Sequence, residues 1–349
     1  MIRTKSTQML ALAGFVPTGK LSHSYHSLLP VLALCVASAA WSQTVPGVRG
    51  AGARPNRFGG AQPAKPAAVT PASAQYRFIT IEIPGAAACN YSNFCEYAGG
   101  VNDERLVTGQ YPSGSTTYGF AWQNGILHTL EYPGATNTYV EGVNNRGVAI
   151  GTYNNAVPNT EYALTYSFSS GAWTILPDIP DYPNNQGFVI NDSGAAVGQA
   201  YGTSANVAWI WNPDSQSYAF YAVPGSTQYS TYSGGLNDLG QVVGQYQDSS
   251  GVWHGFLKEG DTYTTIDPPH STYTYATGIN NHGTIAGFWS NFSGWSEGFV
   301  RTSNGVFTAI NFPGGLETQI DAISDRGDIC GVYISPNTGQ WTPFVAFKQ

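Results

Sequence analysis

From residue 76 onward, apolar and polar positions alternate over short runs rich in Val, Ile, Thr, Tyr and Phe, with Gly, Asn or Pro at intervals of about ten positions. The alternation has the period of two that belongs to strands, and no long apolar run at helical period follows residue 40. Residues 274–312 show the unit: TYATGIN (strand a), an Asn281-His282-Gly283 turn, TIAGFWS (b), a loop, EGFVRT (c), a Ser303-Asn304-Gly305 turn and VFTAINF (d). Close copies of ATGINNHGTIAG are GGVNDERLVTG, EGVNNRGVAIG, FVINDSGAAVG, GGLNDLGQVVG and DAISDRGDICG, anchored at Asn102, Asn144, Asn191, Asn237, Asn280 and Ser324. Their steps of 42, 47, 46, 43 and 44 residues suit a repeat of four short strands.

The two ends of this region complement each other. FITIEIPGA (78–86) matches strand d, like LHTLEYPGA, FYAVPGS, TTIDPPH and FTAINFPGG, with WTILPDIP a weaker copy. Residues 321–347 supply strands a, b and c and then stop. An all-β fold is therefore predicted, a six-bladed β-propeller of four-stranded blades. An N-terminal strand d pairs with C-terminal strands a–c and closes it.

The strand-c copies are YGFAW, YALTY, VAWIW, HGFLK, EGFVR and TPFVAF. Together with the upstream G-I-N-N-x-G and the downstream F-T-x-I-x-x-P-G-A elements, they resemble the bacterial extracellular HAF repeat family. That family takes its name from a His-Ala-Phe triplet at this place, to which His254-Gly255-Phe256 is the nearest match. The resemblance spans all six units and implies a secreted protein, with no catalytic residues to carry over.

Residues 1–42 read as a secretion signal, with Arg3, Lys5 and Lys20 before an apolar core at 28–39 that is too short to span a bilayer. Residues 43–75, rich in Pro, Ala and Gly, read as a flexible leader. Charge divides at the same place. Arg3, Lys5, Lys20, Arg49, Arg54, Arg57 and Lys65 precede residue 76 without an acid, and all 21 Asp and Glu follow it, giving 76–349 a net charge near −14. Such a surface repels phosphate backbones, so nucleic acid is not an expected partner. An exported protein keeps disulfides, and Cys89 and Cys95, which flank NYSNF in one loop, are the expected pair. Cys330 aligns with Val243 and Ala286 and is expected to be a buried thiol.

The Asn-[Asn/Asp]-x-Gly turns fit type I geometry with the leading Asn capping its own turn, in preference to calcium ligation. An aromatic follows each strand-b Gly (Tyr111, Tyr153, Tyr201, Tyr246, Trp289, Tyr333); packing between blades is the main expectation, and stacking on sugar rings the functional one. The d–a loops differ from unit to unit and carry Tyr91, Phe94, Tyr139, Tyr182, Tyr229, Tyr232, His270, Tyr273 and Tyr275. Variable aromatic loops on a rigid scaffold suit a binding surface. The candidate ligand-binding residues are Tyr91, Tyr139, Tyr182, Tyr229, Tyr232, His270, Tyr273 and Trp289. Glu141 and Asp321 stand three residues before their anchors and are the weak candidates for an acid/base pair in a central channel. His128, His254, His270 and His282 lie in separate units without metal-ligand spacing, and no nucleotide motif appears, so no metal or cofactor is expected. The first expectation is a secreted (extracellular or periplasmic), monomeric module that binds glycan or a cell-surface protein without chemistry. A carbohydrate-active hydrolase or lyase and a purely structural repeat protein are the alternatives.

Overall fold

The structure is a computed structural model, and the residues it describes are 75–86, 96–155, 160–202, 205–290 and 295–349. The expected signal, the leader up to residue 74, Tyr91, Phe94 and the Cys89–Cys95 pair lie outside them. Among the described residues there is no α-helix, and thus none long and apolar enough to cross a membrane.

The chain begins with β1 (Tyr76–Thr80). Five units of four strands follow. The first is β2 (Tyr97–Val101), β3 (Val107–Ser113), β4 (Thr116–Gln123) and β5 (Ile126–Leu130). The second is β6 (Asn137–Val143), β7 (Val148–Asn154), β8 (Glu161–Ser167) and β9 (Ala172–Ile175). The third is β10 (Asn184–Ile190), β11 (Ala196–Tyr201), β12 (Asn206–Asn212) and β13 (Ser217–Tyr221). The fourth is β14 (Ser226–Leu236), β15 (Val242–Asp248), β16 (Trp253–Glu259) and β17 (Thr262–Ile266). The fifth is β18 (Tyr273–Ile279), β19 (Ile285–Ser290), β20 (Ser296–Arg301) and β21 (Phe307–Ala309). The chain ends with β22 (Thr318–Ile323), β23 (Ile329–Ile334) and β24 (Trp341–Lys348). Each unit is an antiparallel meander; the second and third join through one parallel pairing, Asn184 with Glu161. The expected strand d at the N-terminus is β1, which pairs with β24 over Tyr76–Thr80.

Two features of the repeat motif have one cause. The strand-b glycines sit directly opposite a large buried residue of strand c: Gly109 with Phe120, Gly151 with Leu164, Gly198 with Trp209, Gly244 with Phe256, Gly287 with Phe299 and Gly331 with Phe344. A methyl group on Gly109 would lie 1.9 Å from the Tyr97 carbonyl oxygen and 2.6 Å from the Phe120 ring. The aromatic thus covers a backbone that only glycine lets strand a approach.

Every first strand also carries a register shift at the residue three before its anchor: Gly99, Glu141, Phe188, Gly234, Thr277 and Asp321. The bulge re-aims one side chain and sharpens the twist. Just beyond it, first strands touch backbone to backbone. A methyl on Gly142 would meet the Phe188 carbonyl oxygen at 2.8 Å and Val189 Cα at 3.0 Å. β2 packs on β6, β6 on β10, β10 on β14, β14 on β18, β18 on β22, and β22 on β2.

The anchors hold this arrangement. As expected, each Asn Oδ1 caps its own turn; Asn144 Oδ1 accepts from Arg146 N at 3.1 Å and Val148 N at 2.9 Å. The turn reading missed the other half of the amide. Asn102, Asn144, Asn191, Asn237 and Asn280 each donate Nδ2 to the backbone carbonyl of the next anchor, at 2.9–3.1 Å. Ser324 breaks the series: its buried Oγ has no hydrogen-bond partner among the described residues. At that junction Arg105 pairs with buried Asp328 at 3.2 Å and lies 4.3 Å over the Phe347 ring, and Arg326 N donates to Asp103 Oδ1. Cys330 is a free, fully buried thiol on the Ala98 carbonyl.

Candidate binding face

The meanders share one polarity. Their a–b and c–d turns lie at one end, here the turn end, and their d–a and b–c loops at the other, the loop end. The anchor-to-anchor hydrogen bonds bring the a–b turns together and so set all units in the same sense.

All six d–a loops contain the same tight turn, closed by the bonds Ala86 N to Ile83 O, Ala135 N to Tyr132 O, Tyr182 N to Ile179 O, Ser226 N to Val223 O, Ser271 N to Pro268 O and Gly315 N to Phe312 O. Pro occupies the second position and the third has positive φ, as a type II turn requires. Four loops place Gly there, at φ 80–84°; the other two hold Asp181 at 69° and His270 at 67°. The loop between these two has its own departure. β14 is interrupted between the pairs Ser226–Asp248 and Thr231–Tyr246, and the intervening residues 227–230 bulge out. Ser230 Oγ ties the bulge to the Thr227 and Gln247 carbonyls and presents Tyr229 at φ 64°, 40 % exposed. Asp181, Tyr229 and His270 are all exposed.

Beneath these three consecutive loops lies an aromatic cluster. Buried Tyr232, Trp253, Tyr275 and Phe288 pack with half-buried Phe188, Tyr201 and Tyr273. Ring centroids are 5.7 Å apart for Tyr232–Trp253, 6.3 Å for Trp253–Tyr275 and 4.8 Å for Tyr275–Phe288. The structure thus sorts the sequence candidates. Tyr229 and His270 are accessible. Tyr182 is half-buried and 6.0 Å from the exposed Phe220 ring; Tyr273 is half-buried with its hydroxyl on Ser296 Oγ. Tyr139 and Tyr232 are buried, which corrects the expectation that they meet a ligand: they stand on strand a, inside the packing, and not in the loops. Trp289 is half-buried against the core around Val243 and Phe299. Its counterparts Tyr111, Tyr153 and Tyr333 are buried, the last stacked on Phe312 at 3.6 Å, in keeping with packing between units.

On the fourth unit a cluster that composition does not reveal stands at the loop end. His254 Nδ1 is 2.6 Å from Asp267 Oδ2 and its Nε2 3.3 Å from Asp248 Oδ2, with the Tyr246 ring at 5.3 Å. Both ring nitrogens can serve carboxylates only as donors, in the imidazolium. Burial works against that cation, but Asp267 and then Asp248 outweigh it and raise the His254 pKa. Asp248 is lowered to about 2, first by the Ser250 hydroxyl and then by Val252 N. The signal was in the register: Tyr246 pairs with His254, and Gly255 with Ile266 next to Asp267.

Glu141 and Asp321 are 6 % and 4 % exposed. Burial raises Glu141 to about 8, opposed by a hydrogen bond from Tyr97. Asp321 adds to burial in raising the Cys330 thiol. The strands carrying them flank β2, whose bulge residue Gly99 leaves room for the Glu141 carboxylate; a methyl there would lie 3.0 Å from its Oε2. Both members of the expected acid/base pair are thus buried on strand a. Near the turn end, a cavity of 80 Å³ is lined by Gly142, Asn144, Asn191, Asn237, Asn280 and Ser324, among others. Among the described residues no group of three or more His, Cys, Asp or Glu is placed to hold a metal.

Charge is unequally shared between the two ends. Arg105, Arg146 and Arg326 are in a–b turns, Lys258, Arg301 and Lys348 close third strands, and Arg77 pairs with Phe347 at the same end. No Lys or Arg among the described residues lies at the loop end, where Glu131, Asp178, Asp181, Asp248, Asp267 and Glu297 do. Burial raises Glu96 to about 7, reinforced by Glu82, and raises Glu161 to about 7 against a hydrogen bond from Gln186.

No protein-family model matches the chain. No curated protein matches it either. Solved structures do. A gluconolactonase from Xanthomonas campestris aligns with a TM-score of 0.50 at 13 % identity, over 84 % of this chain and 99 % of its own. The fold is propeller-like. The SapL1 lectin, solved with alpha methyl fucoside, aligns at 0.46 with 12 % identity, over 69 % of this chain and 88 % of its own. TolB from Acinetobacter baumannii aligns at 0.48 with 10 % identity, over 76 % and 66 %. At these identities the likeness concerns fold and not activity.

Proposed function

We propose that this chain is an exported, six-bladed β-propeller of the HAF-repeat kind that binds carbohydrate, without chemistry, at the loop end of its second to fifth units. Closure is supported by the β1–β24 pairing and by the packing of β22 on β2. The observation that carries the binding reading is the row Asp181, Tyr229 and His270. Three exposed residues in consecutive loops hold backbone angles that favour glycine, above a bed of aromatic rings. Such conformations cost of order 1–3 kcal/mol and persist where function repays them. The bed offers apolar ring faces, and Tyr229 and His270 add polar tips that suit sugar hydroxyls. The lack of Lys and Arg at this end among the described residues, with the one imidazolium already held by Asp248 and Asp267, favours neutral or amino sugars over uronic acids.

The test is a glycan array with the full chain, followed by reducing-sugar and unsaturated-product assays on each hit. Binding without turnover supports the proposal. Turnover would redirect attention to Glu141, and a chain that binds no glycan would leave a cell-surface protein as ligand or a structural role.

A further inference from the structure

One position of the repeat differs in kind between units: the strand-c residue that pairs with the strand-b aromatic. In the first and second units it is Tyr118 and Tyr162, with ring centroids 5.7 and 5.0 Å from Tyr111 and Tyr153. The fourth unit keeps the ring contact, at 5.3 Å to Tyr246, but fills the place with His254. A plain ring serves the packing there. The imidazole adds two nitrogens, and each faces a carboxylate: Nδ1 is 2.6 Å from Asp267 Oδ2 and Nε2 3.3 Å from Asp248 Oδ2. The side chains of His254, Asp267 and Asp248 are 23 %, 28 % and 33 % exposed, so they exchange protons with solvent while salt screens them only in part.

The two carboxylates belong to different loops. Asp267 follows β17 and precedes Pro268 and Pro269, whose fixed φ angles carry the chain into the turn that presents His270. Asp248 ends β15. Its Oδ1 caps its own turn, accepting from Ser250 N and Val252 N at 2.9 Å, as the anchor Asn residues cap theirs, and its Oδ2 turns to His254. The carbonyl of the preceding Gln247 accepts from Thr227 Oγ1 at 3.3 Å and from Ser230 Oγ at 3.2 Å, and these bonds hold the bulge that presents Tyr229. One imidazole thus links the two loops that place Tyr229 and His270 on either side of the fourth unit.

With the loop end read as the glycan site, on which this inference rests, we propose that His254 is a positioning residue for that site: its imidazolium, donating to Asp248 and to Asp267, holds the Tyr229 bulge and the His270 turn in one arrangement, and ligand binding depends on the proton that completes the two bonds. Deprotonated, the ring has a single N–H. The shorter contact keeps it, so Nδ1 goes on donating to Asp267 while the Nε2 lone pair meets the Asp248 carboxylate and repels it. The titratable groups that face the ring are Asp248 and Tyr246 from β15 and Asp267 from beyond β17. Burial works against the cation, but Asp267 and then Asp248 outweigh it and raise the His254 pKa. The link is therefore complete below that raised pKa and is lost as pH rises through it.

The experiment follows the ring and the loops apart from the ligand. In NMR spectra of the full chain between pH 6 and 9, the amide signals of Tyr229 and Ser271 should move with the same midpoint as the His254 ring, and the Kd of a glycan hit should rise at least about fivefold over that range. Asp248→Asn keeps the turn cap and offers an Nδ2–H to the neutral ring, which then completes both bonds; the loop signals and the Kd should no longer change at the parent's midpoint. His254→Phe keeps the contact with Tyr246 but removes both donors, and at pH 6 it should bind no better than the parent does at pH 9. Loop signals that do not follow the His254 midpoint would overturn the proposal. So would a Kd that rises equally in Asp248→Asn, which would assign the pH dependence to His270. Loop signals that follow His254 in a chain that binds no glycan would uphold the link between the loops and remove the glycan reading alone.

Discussion

Replacing Asn144 separates the two jobs of the anchor amide. Its side chain is 6 % exposed and makes three hydrogen bonds: Oδ1 accepts from Arg146 N and Val148 N, and Nδ2 donates to the Asn191 carbonyl at 2.9 Å. At a net 0.5–1.5 kcal/mol each, Asn144→Ala should cost about 2–4 kcal/mol. Asn144→Asp is more informative. It preserves both turn bonds, and Asp is as good a turn residue as Asn. It removes the donor, however, and sets a carboxylate oxygen against the Asn191 carbonyl in a buried place. If the link between units matters as the geometry indicates, Asp should cost at least about 2 kcal/mol. The assay is urea unfolding at pH 7, with an unchanged m-value as the condition for comparison. An Asp variant within about 0.5 kcal/mol of the parent would refute the reasoning and reduce the anchors to local turn caps.

The converse change sits at the odd position in the same series. Ser324→Asn should restore a link to the first unit and add about 1 kcal/mol in the same assay, while Ser324→Ala, which removes an unpartnered hydroxyl, should not lower stability; a destabilised Asn variant would argue against the missing link. Gly142→Ala puts a methyl against backbone of the neighbouring strand and should cost about 1–3 kcal/mol by urea unfolding, with no loss pointing to slack between first strands. Glu141 keeps its proton in the folded chain up to about 8 but loses it near 4.5 when unfolded, so the folded state binds more protons between these values and stability falls as pH rises through them. Glu141→Gln should therefore match the parent near pH 4.5 and exceed it at pH 8.5; parallel stability curves would place an ionised carboxylate in the fold.

The strands, their order and the N-terminal d strand could be read from the chain because turn residues recur with each unit and each turn answers to local chemistry. Relations between units were less legible. The Nδ2 links, the bulges at Glu141 and its equivalents, and the Gly142 contact depend on neighbours more than forty residues away. Aromatic candidates divided for a related reason. Tyr229 and Tyr232 are three residues apart in one strand, yet a bulge puts the first in solvent and the strand puts the second in the packing. His254 stood out in the motif without partners, because Asp248 and Asp267 reach it only through pairing across three strands.

The most direct test of the binding face is His270→Gly, measured twice on the same preparation. Glycine is the residue four of the six turns already use, so the change should relieve strain and add about 0.5–1 kcal/mol of stability. The same change removes the imidazole from the proposed site, and the Kd for a glycan hit should rise about tenfold, the equivalent of 1.4 kcal/mol, while Leu239→Ala, exposed at the turn end, leaves it unchanged. Stability gained with binding lost is the outcome this account requires. A Kd unchanged by His270→Gly, or weakened equally by Leu239→Ala, would contradict it.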